Sequence, residues 1–81
     1  MIAKTDIEKK VKSLFKDAEI DVKVDGKGVK LAIEGVGEEL NTLFVKLGDL
    51  VSGIAKLTGA KDADVIVSIQ GAAYGVEVEI Y

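Results

Sequence analysis

Ile20-Asp21-Val22-Lys23-Val24-Asp25-Gly26-Lys27-Gly28-Val29-Lys30-Leu31-Ala32-Ile33-Glu34 is the stretch on which the fold turns. Apolar and polar residues alternate on both sides of Asp25-Gly26. A period of two marks a strand with one buried and one wet face. Asp-Gly between two such runs signals a hairpin. A two-residue loop at Asp25-Gly26 pairs Val22 with Val29, Ile20 with Leu31 and Asp21 with Lys30. A four-residue loop from Asp25 to Gly28 sets Lys23 opposite Lys30, and like charges so placed cost about 0.2–1 kcal/mol. The shorter loop is therefore expected, and either loop keeps the same face apolar.

Downstream, Gly35-Val36-Gly37 breaks the alternation. Val36, Leu40, Leu43, Leu47, Leu50, Ile54 and Leu57 then recur in steps of four and three, widened by Phe44 and Val51. That spacing predicts one long amphipathic helix, ended by Gly59 at a position that favours a left-handed backbone. Asn41, Val45, Gly48, Ser52 and Ala55 form a stripe of smaller residues beside the apolar arc. Glycine inside a helix costs about 1 kcal/mol against alanine, so Gly48 and Gly53 suggest a close neighbour. Upstream, Ile7, Val11, Leu14, Phe15 and Ala18 share one helical face, and Thr5 with Glu8 has capping-box spacing. A helix over residues 5–18 is expected.

The last third alternates again. Ala63, Val65, Val67 and Ile69 oppose Asp64, Ile66 and Ser68, and Val76, Val78 and Ile80 oppose Glu77, Glu79 and Tyr81. A type II′ turn at Gly71-Ala72 sets Asp64 against Glu79, and a longer loop over Gln70–Gly75 avoids that contact. Both registers remain open at this level. The elements run helix, hairpin, helix, hairpin. The expected fold is α+β, a two-layer αββαββ sandwich, with a four-stranded, mostly antiparallel sheet and both helices on one face. Ile7, Val11, Phe15, Val22, Leu31, Leu40, Leu43, Leu47, Ile54, Val65, Val67 and Val78 form the expected core.

A chain of 81 residues makes one domain. It has no Cys, His, Arg, Pro or Trp. Disulfides, thiolate nucleophiles and Cys-based zinc sites are excluded, as are a histidine base and bidentate arginine clamps on phosphate. Gly35-x-Gly37 precedes a helix, but Glu38 and Glu39 occupy the N-terminus that a phosphate would need. Ser13, Ser52 and Ser68 lack a histidine partner. Glu77 and Glu79 are ordinary alternation on an outer face, and the acids lack EF-hand spacing. Neither enzyme activity, a metal nor a cofactor is expected.

Eleven lysines oppose 14 acids, for a net charge of −3. Direct nucleic-acid binding is disfavoured, because phosphate affinity needs clustered cations, and Lys9, Lys10, Lys12 and Lys16 are interleaved with acids. No stretch predicts a membrane span, and the N-terminal residues lack a signal-peptide pattern. A cytoplasmic location is the default expectation.

If both helices cover the Val/Ile/Leu face, the open face carries Asp21, Glu34, Asp64, Glu77 and Glu79 against Lys23 and Lys30, with Ile66 and Tyr81 as apolar contacts. Solubility and edge protection explain part of this surplus. The expected function is a small acidic, non-enzymatic interaction module with a basic protein partner. In its concrete form it is an inhibitor that mimics nucleic acid on the basic surface of a partner enzyme. The alternative is a structural homo-oligomer, a homodimer for instance, built on Gly48, Ser52 and Ala55. A designed fold without natural function fits the consistent patterning but not the mid-helix glycines or the exposed Ile66.

Overall fold

The structure is a computed structural model and describes residues 3–26 and 28–81. The elements are α1 (Lys4–Leu14), β1 (Glu19–Asp25), β2 (Gly28–Val36), α2 (Leu40–Thr58), β3 (Ala63–Gln70) and β4 (Ala73–Ile80). They form the expected α+β sandwich. The sheet is antiparallel throughout, in the order β1-β2-β4-β3. One apolar core joins Ile7 and Val11 of α1 and Leu43, Leu47, Leu50 and Ile54 of α2 to the inward residues of β1, β2 and β4. No helix among the described residues is long and apolar enough to cross a membrane.

Both helices are shorter than their periodicity predicts. Helix α1 begins at Lys4, its N-cap Ala3 makes no side-chain bond, and Thr5 lies inside the first turn. The expected capping box is therefore absent. The helix stops at Leu14, where Phe15 (φ −126°, ψ 71°) turns the chain toward β1. Phe15 stays buried and Ala18 packs against the core from the turn, so the apolar period outlasts the helix. The Leu14 carbonyl, an orphan of the helix end, accepts a bond from Lys46 Nζ of α2 at 2.9 Å, and the same ammonium pairs with Glu38.

Helix α2 begins at Leu40 rather than Val36. Strand β2 continues through the predicted break: Gly35 adopts φ +77°, the register shifts between Ile33 and Val36, and Val36 pairs with Tyr74. Such a bulge bends the strand and returns the next side chain to the core, and Val36 is buried there. At the other end Gly59 takes φ +73°, and its N–H bonds to the Ala55 carbonyl at 2.8 Å, as expected.

The first hairpin adopts the register that the charges disfavour. Val22 faces Leu31, Lys23 faces Lys30 and Asp25 faces Gly28. This correction has two causes. Gly26, at φ +58°, takes the first loop position, where two-residue hairpins call for a positive φ. Lys30 also faces Glu79 of β4 on its other side, which offsets the contact with Lys23. In the second hairpin the short turn holds: Gly71 has φ +66°, Ile69 faces Tyr74 and Asp64 faces Glu79. Lys30 beside Glu79, and a Tyr81 hydroxyl that donates to Asp64 at 3.0 Å, accommodate that acid pair.

Most of the expected core is buried, with three exceptions. Leu40 and Val65 are exposed and Val67 is half-buried. The strand order explains them. Contacts from Lys46 to the Leu14 carbonyl and from Lys10 to Gly53 hold α1 along one flank of α2. Helix α1 packs on β1, and α2 lies over β4. Strand β3 therefore projects beyond the helical layer, and Ile69 on its helix-facing side is 75% exposed.

Candidate functional site

Alternation sends the polar residues of all four strands to the face opposite the helices. The register aligns them in rows across β1-β2-β4-β3. One row holds Lys23, Lys30, Glu79 and Asp64, and the next holds Asp21, Ala32, Glu77 and Ile66. A third sets Glu19 against Glu34. The two cations thus sit side by side on β1 and β2, and the acids spread around them.

The first two rows border one hollow. A depression of about 310 Å³ is lined by Asp21, Lys23, Lys30, Asp64, Ile66, Glu77 and Glu79, among others. Five of the seven expected contact residues, Asp21, Asp64, Ile66, Glu77 and Glu79, therefore share one concavity. Tyr81 stands beside it, half-exposed, with its hydroxyl on Asp64. That hydrogen bond, with the Asp64 charge, raises the phenol pKa above its ordinary value of 10.0. Glu34 lies apart, beyond the depression. With Gln70 it lies over the backbone of Gly75, where a Cβ would come within 2.9 Å of the carboxylate.

Two acids were missed by the sequence reading. Strand β1 runs from Glu19 to Asp25, and both end residues share the parity of Asp21 and Lys23. The face thus carries seven acids against Lys23 and Lys30, a formal charge of −5 in a chain of net −3. The alternation itself, extended one residue each way, was the available signal. Charge is therefore segregated, with a surplus of lysine on the remaining surface.

The stripe of small residues on α2 has a different setting. Gly48 and Ser52 are exposed and Ala55 is half-buried. A Cβ on Gly48 would meet nothing within 4 Å, so α1 does not explain that glycine. Helix α1 instead reaches α2 at Gly53, through the Lys10 side chain. A larger open depression, of about 560 Å³, lies between residues 13–18 and 35–38 and reaches Lys46. Its central ammonium is already committed to Glu38 and the Leu14 carbonyl. Among the described residues no three acids come together as metal ligands would. No family model and no curated protein matches the chain.

Proposed function

We propose that the chain is a non-enzymatic interaction module, cytoplasmic in location, that docks its open sheet face on a basic surface of a protein partner. The observation that carries this reading is the segregation of charge: seven acids on one sheet face, four of them around a depression that also holds Ile66, with Tyr81 at its rim. A surface acidic only for solubility has no need of an exposed isoleucine among its carboxylates. Carboxylates in rows supply long-range attraction and fast, salt-sensitive association, and an exposed aromatic and an isoleucine supply contact area. A partner that normally holds phosphates offers the matching surface, so inhibition by nucleic-acid mimicry is the specific form of the proposal.

The test compares immobilised wild-type chain with the Glu77→Lys/Glu79→Lys variant in capture from a cell lysate. The wild type should retain proteins that elute with salt and that also bind nucleic acid, and the variant should lose them while keeping its fold. Identical eluates from both chains would refute the reading.

A further inference from the structure

Strand β3 is built unlike the other edge of the sheet. On β1, Ile20, Val22 and Val24 alternate with Glu19, Asp21, Lys23 and Asp25, and Val22 is buried. Strand β3 carries a single charge, Asp64, in eight residues, and only Val67 is even half-buried. Tyr81 and Asp62 exchange backbone bonds at 2.9 and 3.0 Å. Even-numbered residues of β3 therefore pair with β4, and Ala63, Val65, Val67 and Ile69 direct their N–H and C=O groups outward. Among the described residues nothing pairs with that edge. A long, apolar, unpaired edge is a template for another strand.

The apolar surface continues upward from the strand. Contacts with α1 fix Lys46 and Gly53 on one flank of α2, and helical periodicity puts Leu40, Phe44 and Val51 on the other, above β3. We infer that the occupant of this edge is a second copy of the chain, paired β3 to β3 about a two-fold axis through Val67, giving an eight-stranded sheet.

The strand is self-complementary in that register. Val67 meets its own copy, Val65 meets Ile69, Ile66 meets Ser68, and Asp64 meets the neutral amide of Gln70. No charge opposes its like. Side-chain parity is kept, so the apolar residues of both copies face the helical layer. Strands are about 4.8 Å apart, which leaves the two α2 helices, each above its β4, roughly 14 Å apart. Packed helices lie about 8–10 Å apart, so the gap has room for Phe44 and Leu40 of both copies. A specific interface buries about 1,000 Å² or more in total, some 500 Å² from each side. Ile69 at 75% exposure, Phe44 at 53%, Val65 at 41% and Leu40 at 38%, all on the helical side, provide apolar surface of that order. The charged β1 strands then form both outer edges, so the assembly closes at two copies. This inference is independent of the proposed docking, because the open faces stay free and become one continuous acidic surface.

The chain has no cysteine, so one introduced thiol reports a single contact. Sedimentation equilibrium of the wild type should give twice the 8.6 kDa chain mass. Val65→Lys/Ile69→Lys should sediment as a monomer with an unchanged far-UV spectrum. Val67→Cys should form a covalent dimer on mild oxidation and Gly48→Cys should not. A wild type that is monomeric at millimolar concentration overturns the inference and leaves the edge to a strand of another protein. Cross-linking through Gly48→Cys, with none through Val67→Cys, also overturns it, in favour of the small-residue stripe.

Discussion

Ile33 and Ile69 lie on the same side of the sheet, and alternation alone gives them equal standing. The structure separates them: Ile33 is fully buried and Ile69 is 75% exposed. Truncation to alanine removes three carbons. At about 0.8 kcal/mol per buried methylene the transfer contribution at Ile33 is roughly 2.4 kcal/mol. The cavity left between α2 and the centre of the sheet raises the total to about 3–4 kcal/mol. At Ile69 only a quarter of that transfer applies and no cavity forms, so about 0.6 kcal/mol is expected. Urea unfolding followed by circular dichroism measures both, at a concentration low enough to keep the chain monomeric. The midpoint should fall steeply for Ile33→Ala and slightly for Ile69→Ala, with the slope unchanged in each. For a domain of this size the larger change corresponds to a drop of roughly 12–30 °C in melting temperature. Equal costs at the two positions would refute the placement of β3 outside the helical layer.

Further outcomes follow from individual contacts. Lys23→Glu should stabilise the fold by about 0.2–1 kcal/mol, because it turns the Lys23–Lys30 contact into an attractive pair; no gain in urea midpoint would count against the observed register. Gly48→Ala should stabilise by up to about 1 kcal/mol, since open space surrounds the new methyl group. Gly59→Ala should destabilise by roughly 1–2 kcal/mol, because φ is +73° there; thermal melts rank the two. Asp64→Asn, in a Tyr74→Phe background, should return the Tyr81 phenol toward its ordinary pKa, as read by ultraviolet titration, because the Asp64 hydrogen bond and charge raise it. The sign follows from linkage: the contact contributes stability below the ordinary phenol pKa near 10 and loses it as pH rises through the higher folded value. An unshifted titration in the Asn variant would show that the bond does not form in solution.

Local chemistry determined the element types, their order and the parity of every strand. Periods of 2 and 3.6 residues depend only on which side chains avoid water, so Ile7, Val22, Leu43 and Val78 were legible as core, and Asp21, Glu77 and Glu79 as one wet face. Gly59 was legible because a helix end needs a backbone that only glycine adopts without strain. Tertiary structure decided what depends on partners distant in sequence. Lys46, 32 residues away, caps α1 at Leu14, and no local residue marks that end. The register of the first hairpin rests on Gly26 and on Glu79 across β2, so a comparison of β1 with β2 alone weighed Lys23 against Lys30 with one neighbour missing. The exposure of Val65 and Ile69 follows from the order β1-β2-β4-β3: α1 packs on β1 and α2 on β4, so β3 lies outside their cover, and alternation records which side a residue faces but not whether anything covers it.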